Sequence, residues 1–85
     1  MITVYVLSST IRNYLYVGLT NNLERRFSQH NDGQERTTRA YRPFELVHTE
    51  QFSDRMSARL LEKYLKSGIG KEFLRNKYPA LEKKF

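Results

Sequence analysis

The fold of this chain is decided by ITVYVLS at residues 2–8 and YLYVGL at residues 14–19, which a short polar segment separates. In both stretches β-branched and aromatic residues alternate along the chain, which indicates half-buried strands. The polar residues 8–13 between them are typical of a hairpin loop. Strands this close in sequence pair most simply as antiparallel neighbours, so the domain is predicted to begin with a β-hairpin.

The two faces of this hairpin carry different chemistry. Alternation places Val4 and Val17 on an apolar face, whereas Tyr5 and Tyr16 share the opposite face with a strand glycine. A loop centred at residues 10–11 puts the two tyrosines directly opposite each other, about 5 Å apart at Cβ. A glycine within a strand often marks close approach by a ligand or another chain. The simpler alternative is a plain cross-strand aromatic pair.

The rest of the chain predicts one further strand and two to three helices. In order, these are a helix over 21–30 capped by Asn21, a strand over 44–52, a helix over 53–68 capped by Ser53 and ended by Gly68, and a short helix over 70–78. No repeat, linker or low-complexity tract divides the sequence. One domain spanning residues 1–85 is therefore expected.

Composition and charge narrow the class of protein. The chain is 39% hydrophobic, which argues against wholesale disorder, and it has no cysteine for a disulfide, a thiolate zinc site or a nucleophile. No apolar run is long enough to cross a membrane and no cleavable signal pattern is present, so a cytoplasmic protein is expected. The net charge is +6, and residues 51–85 hold nine basic and four acidic groups. This excess points to a polyanionic partner, although many small basic proteins bind nothing in particular.

The first predicted helix places two polar side chains beside its apolar stripe. On a helical wheel of about 100° per residue, Arg26 and His30 lie next to Leu23 and Phe27. A half-buried arginine is costly unless it is paired or meets an anion. Arg26 is therefore a candidate anion-binding residue. Its guanidinium is expected to be an unpaired cation, with no acidic partner in the chain. Alternatively, its stem packs while its head reaches water or pairs with a local acid, and His30 is a packing residue.

The second predicted helix carries a cationic stripe. Its apolar side is predicted to consist of Leu60, Leu61, Tyr64 and Leu65. Its far side presents Arg55, Arg59, Glu62 and Lys66, with Lys63 adjoining. Glu62 is the one carboxylate of this stripe, and its ordinary interpretation is an i,i+4 surface pair with Lys66.

Several short motifs, in their order and spacing, resemble the GIY-YIG nuclease domain, and most of all its small standalone members. Residues 3–5, TVY, stand in place of Gly-Ile-Tyr, and residues 16–18, YVG, in place of Tyr-Ile-Gly. The segment LERRFSQHN at 23–31 resembles the arginine-bearing helix of the family. RPFELV at 42–47 resembles the start of its third strand, and LEKYLKSG at 61–68 resembles the helix with its glutamate.

The resemblance implies an α/β (α+β) fold in which two to three helices flank a three-stranded antiparallel sheet. It also implies hydrolysis of a phosphodiester bond in DNA with one divalent metal ion. The catalytic residues that it carries over are Tyr5, Tyr16, Arg26, His30 and Glu62. They are expected to converge on one shallow, cationic concavity on the tyrosine face of the sheet.

Each of these residues has an expected role. Glu62 would hold Mg²⁺ or Mn²⁺, with water completing the coordination shell. Arg26 would present a planar fork to a phosphate oxygen. Tyr5 is expected to act as the base on the attacking water, His30 to take up or orient its proton, and Tyr16 to position the phosphate. An unperturbed tyrosine has a pKa of about 10, so this base needs a cationic neighbour or a proton acceptor.

The predicted partner is DNA, whose specificity a homodimer or a partner protein would supply. Its contacts are predicted at Arg55, Arg59, Lys63, Lys66 and Asn76, the last being the one candidate for a late asparagine of the family. Two other interpretations stay open. One is a nucleic-acid-binding module that has lost catalysis, and the other is a basic subunit that docks onto an acidic protein.

Overall fold

The computed structural model describes residues 1–81, so the last four residues of the predicted domain, 82–85, lie outside the described part. Its strands are β1 (Ile2–Ser9), β2 (Leu15–Thr20) and β3 (Phe44–Phe52), and its helices are α1 (Leu23–Asn31), α2 (Arg55–Lys66) and α3 (Gly68–Lys77). Short 3-10 turns lie at Arg39–Tyr41 and Pro79–Leu81. The sheet is antiparallel with strand order β2-β1-β3. The predicted fold class is confirmed.

The two faces of β1 build two separate clusters. Val4 and Val6 pack with Leu65 of α2 and Leu74 of α3. On the opposite face, Tyr5, Leu7 and Phe44 pack with α1 and with the partly buried rings of Tyr14, Tyr16, Phe27 and Tyr41. The predicted division into an aliphatic face and a tyrosine face is therefore confirmed. Within the described residues, no helix is long and apolar enough to cross a membrane.

The hairpin register differs from the prediction. Tyr5 lies opposite Gly18, and Tyr16 lies opposite Leu7, so the expected direct tyrosine pair is wrong. The reason is that the Ser9 amide donates a hydrogen bond of 3.0 Å to the carbonyl of Tyr14. This bond closes the loop one residue later than predicted. Tyr16 thereby becomes the diagonal neighbour of Tyr5, with ring centroids 6.1 Å apart.

Gly18 leaves room for the tyrosines rather than for a ligand. A Cβ atom at this position would lie 2.5 Å from the hydroxyl of Tyr5 and 2.9 Å from the ring of Tyr16. Cross-strand side chains normally stand side by side above the sheet. Because Gly18 has no side chain, the ring of Tyr5 can lie directly over its backbone.

The first two helices begin one residue later than predicted. Asn22, rather than Asn21, caps α1 by accepting from the amide of Arg25 at 3.1 Å. The amide of Asn22 is itself bonded to the Thr20 hydroxyl, which fixes this residue at the helix start. Asp54, rather than Ser53, caps α2, because its carboxylate accepts from both the amide and the hydroxyl of Ser57.

One serine joins α2 to α3. Ser67 ends α2, and its hydroxyl accepts from the amide of Gly70 in the first turn of α3. The third helix therefore starts at Gly68, two residues before the predicted start, and Gly68 does not end α2. Gly70 has no space for a Cβ atom, because the backbone of Tyr64 and Leu65 occupies that position.

The buried side of α2 also differs from the prediction. Ala58 and Leu65 are its buried residues, whereas Leu60 is 67% exposed and Tyr64 is 42% exposed. The expected apolar stripe is wrong at these two positions. The small side chain of Ala58 lets the helix approach the sheet closely, and this rotates the larger Leu60 outwards.

Candidate active site

A buried hydrogen-bonded chain links three elements on the tyrosine face. The hydroxyl of Tyr5 on β1 lies 3.0 Å from Nε2 of His30 on α1. The other ring nitrogen, Nδ1, lies 2.8 Å from the hydroxyl of Thr38, which follows in the loop after α1. All three side chains are almost fully buried. Both nitrogens of the imidazole are thus satisfied by hydroxyl groups, and the ring cannot rotate without losing both.

Tyr16 forms the outer side of this cluster. Its ring centroid lies 4.7 Å from that of His30 and 6.1 Å from that of Tyr5. It stands on the edge strand β2 and is half-buried, whereas Tyr5 on the central strand is buried. Of the two phenols, Tyr16 is therefore the one that a ligand can reach.

Arg26 lies one helical turn before His30 and is held by two neighbours. Its guanidinium forms an ion pair of 2.9 Å with Glu35 and donates a hydrogen bond of 2.9 Å to Gln29. The expectation of an unpaired cation is therefore wrong, because the loop after α1 brings a carboxylate back to the helix. The side chain remains 30% exposed, so the guanidinium still has an open side.

The electrostatics of the cluster keep its buried members neutral. Burial, together with the neighbouring hydroxyl of Tyr16, raises the pKa of Tyr5 to about 12, against the opposing effect of Arg26. Burial and the charge of Arg26 lower the pKa of His30 below 6.5. Burial acts to lower the pKa of Arg26, but Glu35 and Tyr5 outweigh it and raise the pKa overall. At neutral pH the cluster holds a phenol, a neutral imidazole and a guanidinium.

These values bear on the expected role of Tyr5. A buried phenol with a pKa of about 12 is a weak base in isolation, because efficient general bases have a pKa near the working pH. Its contact with Nε2 of His30 gives it an acceptor for its own proton. The geometry thus supports Tyr5 as a link in a proton path more than as the group that meets water.

Glu62 belongs to a helix that carries none of the other four candidates. It stands on α2, which packs on the aliphatic face of the sheet, and its carboxylate pairs with Lys66 at 3.3 Å. Its side chain is only 15% exposed. The structure therefore brings Tyr5, Tyr16, Arg26 and His30 together on one face, and it places Glu62 on the helix layer of the other.

The edge of β2 connects these two regions. An open cavity of about 310 Å³ lies there, lined by Tyr16 on one side and by Lys66 and Lys71 on the other. Lys66 is also the ion-pair partner of Glu62, so one lysine joins that carboxylate to this cavity. A nucleic-acid backbone that crosses this edge would contact groups from both faces of the sheet.

The predicted DNA-contacting residues divide between two surfaces. Arg55, Arg59, Lys63 and Lys66 are all exposed on α2, and Asn76 is exposed on α3. Two apolar side chains, Met56 and Leu60, lie among the α2 cations, and this group lines a second open cavity of about 440 Å³. The cations are thus exposed, but they surround an apolar centre that includes Leu60, which the sequence pattern had assigned to the core.

Glu62 is a single carboxylate, so a cation held by it would keep most of its water. The described residues hold no group of three or more His, Asp or Glu side chains that could form a protein-only metal site. Mg²⁺ is commonly bound through one or two carboxylates with water in the remaining positions. Glu62 can serve as that carboxylate once Lys66 moves aside.

Two residues of the cluster, Glu35 and Thr38, were missed from the sequence. They lie in a polar loop with no periodicity, so no pattern assigns their direction. The available signal was indirect: a histidine on a core-facing stripe needs two polar partners, and a half-buried arginine needs an acid. This loop offers both kinds of group, since it contains Asp32, Glu35, Thr37 and Thr38.

Comparison with known proteins connects this geometry to a family. The family of the GIY-YIG catalytic domain matches residues 1–78. A UPF0213 protein of Natronomonas pharaonis is 45% identical over 65 residues, which are 75% of either chain. UPF0213 protein YazA of Bacillus subtilis is 42% identical over 55 residues, 64% of this chain and 56% of the relative.

A solved structure shares the fold. The solution NMR structure of a UPF0213 protein from Bacillus halodurans matches with a TM-score of 0.55 and 32% identity. The match covers 92% of this chain and 86% of the other.

Proposed function

The chain belongs to the GIY-YIG catalytic domain family, and from this premise we propose that it is a metal-dependent endonuclease that hydrolyses phosphodiester bonds in DNA. The observation that carries the proposal is the contact between Tyr5 and His30 beside Arg26. It supplies a proton acceptor and a fixed cation on one face of the sheet. Phosphodiester hydrolysis needs both.

Arg26 would bind the phosphate that is attacked. Its planar guanidinium can present two N–H groups to a phosphate, which the point charge of lysine does not match. The ion pair with Glu35 and the bond to Gln29 hold it in one orientation. A donor fixed in this way stabilises the charge that develops on the phosphate without having to reorganise.

Tyr16 would meet the substrate, with Tyr5 and His30 behind it. As the accessible phenol, Tyr16 takes the proton of the attacking water and passes its own to Tyr5, and Tyr5 passes its proton to Nε2 of His30. The oxygen of the water forms a bond to phosphorus while the bond to the leaving oxygen breaks. The proton thus ends on the imidazole, so no free phenolate forms in the buried cluster.

Glu62 would hold a divalent cation, Mg²⁺ or Mn²⁺, at the edge of β2. When bound, the cation supplies positive charge to the phosphate and the leaving oxygen. The exposed cations of α2 would hold flanking phosphates by charge alone, which gives weak, salt-dependent binding and little sequence readout. Substrate choice would then follow DNA structure more than sequence.

The test is a nicking assay on supercoiled plasmid, flap and branched DNA with and without Mg²⁺ or Mn²⁺. The wild-type chain should nick at least one substrate, and Glu62→Ala should abolish this. Glu72→Ala, at an exposed glutamate on α3, is the matched control and should not change activity. Equal nicking by wild type and Glu62→Ala would refute the metal role. Absence of metal-dependent nicking on all three substrates would refute the endonuclease.

A second candidate function is favoured by the outer side of α2. Met56 is 78% exposed and Leu60 is 67% exposed, and Arg55, Arg59 and Lys63 surround them. Apolar side chains within a cationic rim suit an acidic protein surface better than a phosphate backbone. Leu60→Ser should leave nicking and DNA affinity unchanged if this surface serves a protein partner, and it should reduce DNA affinity if the surface lies against DNA.

A further inference from the structure

Thr38 is buried next to the candidate site, yet its hydroxyl has no role in building its own loop. It occupies the cap position of the 3-10 turn at Arg39–Tyr41, but its side chain does not cap this turn. Threonine is favoured at caps because its hydroxyl accepts from the following amides. Here the hydroxyl points inwards instead, to Nδ1 of His30 at 2.8 Å.

Backbone hydrogen bonds within the loop after α1 hold Thr38 in contact with His30. The amide of Thr38 donates to the carbonyl of Glu35 at 3.2 Å, and the amide of Tyr41 donates to the carbonyl of Thr38 at 2.9 Å. The same turn therefore carries Glu35 against Arg26 and Thr38 against His30. Two side chains of one loop contact two side chains that lie one turn apart on α1.

His30 can bond its two neighbours in only two ways while it is neutral. Either Tyr5 donates to Nε2 and Nδ1–H donates to Thr38, or Nε2–H donates to Tyr5 and Thr38 donates to Nδ1. A phenol is more acidic than an alcohol and is the stronger donor, while an unprotonated imidazole nitrogen is the stronger acceptor. The first arrangement therefore gives the stronger bond in a buried site, where such bonds gain strength.

We propose that Thr38 is a positioning residue that holds His30 as the Nδ1–H tautomer, leaving Nε2 open to accept the proton of Tyr5. The hydrogen bond at one imidazole nitrogen decides the protonation of the other. The contact itself does not depend on catalysis. Its kinetic consequence rests on the proposed endonuclease function, because only that function uses Nε2 as an acceptor.

The experiment is ¹⁵N NMR of both histidines near neutral pH, on the wild-type chain and on Thr38→Val and Thr38→Ser. In the wild type, His30 should show the Nδ1–H tautomer. Thr38→Val keeps the shape but removes the acceptor, so the ¹⁵N shifts should move towards the Nε2–H form. Thr38→Ser should restore the wild-type shifts. His48 is the internal control and should not change.

Nicking by the same variants gives the second readout. Thr38→Val should lower kcat about tenfold, on the scale of leaving a buried donor unsatisfied, with KM for DNA unchanged, and Thr38→Ser should recover most of it. An Nε2–H tautomer in the wild type overturns the proposal even if Thr38→Val does not fold. So do unchanged His30 shifts in Thr38→Val. If the shifts behave as expected but the wild type does not nick DNA, the endonuclease fails while the positioning contact stands.

Discussion

The two histidines of the chain lie on opposite faces of the sheet, and both are buried. Each has a tyrosine hydroxyl at one ring nitrogen, Tyr5 at 3.0 Å from His30 and Tyr78 at 2.7 Å from His48. At the other nitrogen the two differ. His30 meets the neutral hydroxyl of Thr38, whereas His48 meets the carboxylate of Glu50 at 2.9 Å.

Their surroundings separate them further. Arg26 adds positive charge beside His30 and, together with burial, lowers its pKa. Around His48 the rings of Phe73 and Tyr78 pack edge-on, and these residues tie α3 to the sheet. Similar hydrogen bonds thus surround two different histidines. His30 is a neutral imidazole next to a cation on one face of the sheet, and His48 packs against α3 on the other face. A tyrosine–histidine contact alone does not mark a site; the cation beside His30 distinguishes it from His48, whose charged neighbour is a carboxylate.

The largest expected effect tests the cation beside His30. Arg26→Lys keeps the charge but loses the planar fork, so nicking should fall about 10²-fold or more, the scale of removing one fixed donor. Plasmid nicking at saturating metal measures it. If Arg26→Lys and Arg26→Met both nick plasmid at the wild-type rate, Arg26 has no catalytic role. The cation would then no longer distinguish the face of His30 from the face of His48.

The stability of the same variants should change little. The pair with Glu35 is about one-third exposed, and pairs of this kind contribute about 0–1 kcal/mol. Arg26→Met should therefore shift the free energy of unfolding by less than about 1 kcal/mol, and urea unfolding measures this. A loss several times larger would show that the arginine is mainly structural.

The pH dependence of stability tests the neutral state of the buried His30. The pKa of His30 is lower in the folded chain than its ordinary value of 6.5, so the unfolded chain binds more protons in the window between the two values. The free energy of unfolding should therefore fall as pH falls below 6.5, and the His30 contribution should level off below the folded-state pKa. Urea unfolding across this range measures the slope.

A substitution at His30 assigns that slope to one residue. His30→Gln removes the titrating group and should flatten the curve. An unchanged slope in this variant would contradict the assignment.

A smaller effect concerns the acid that holds Arg26. Glu35→Gln removes a carboxylate that competes with phosphate for the guanidinium, so affinity for duplex DNA at low salt should rise about two- to threefold, with the salt dependence steepened. Fluorescence anisotropy measures both. Weaker binding would indicate that the loss of orientation at Arg26 outweighs the loss of competition by Glu35.

The smallest effect concerns the outer side of α2. Arg59→Ala or Lys66→Ala should weaken DNA binding equally for all sequences and reduce the salt slope by about 1. Met56→Ala, on the same helix but uncharged, is the control and should leave the slope unchanged. Salt-independent binding by the wild type would favour the acidic protein partner.

Much of the fold could be predicted, because it depends on local patterns. Alternation along β1 and β2 placed Val4 and Tyr5 on opposite faces, and β3 was predicted with its observed bounds. The register of the hairpin could not be predicted, since it depends on where one loop hydrogen bond forms. The rotation of α2 was also missed, because a wheel weighted by large side chains overlooks Ala58 as the point of closest approach.

The candidate site was only partly predictable. Arg26 and His30 stand out because they are polar side chains on a core-facing stripe. Glu35 and Thr38 acquire their positions only when the loop folds back over α1, which is a tertiary event with no local signature. Glu62 was placed with the others on resemblance alone, and α2, the helix that carries it, packs on the aliphatic face.

The strand order has a consequence for how the chain forms during synthesis. Tyr5, Tyr16, Arg26, His30 and Thr38 all belong to the first 38 residues, but β1 is the central strand and pairs with β3 out to Phe52. Until β3 leaves the ribosome, one edge of β1 has no partner, and unpaired strand edges attract other chains. The hydrogen-bonded cluster therefore depends on a strand that carries none of its residues, and its assembly should wait for the pairing of Ile2 with Phe52.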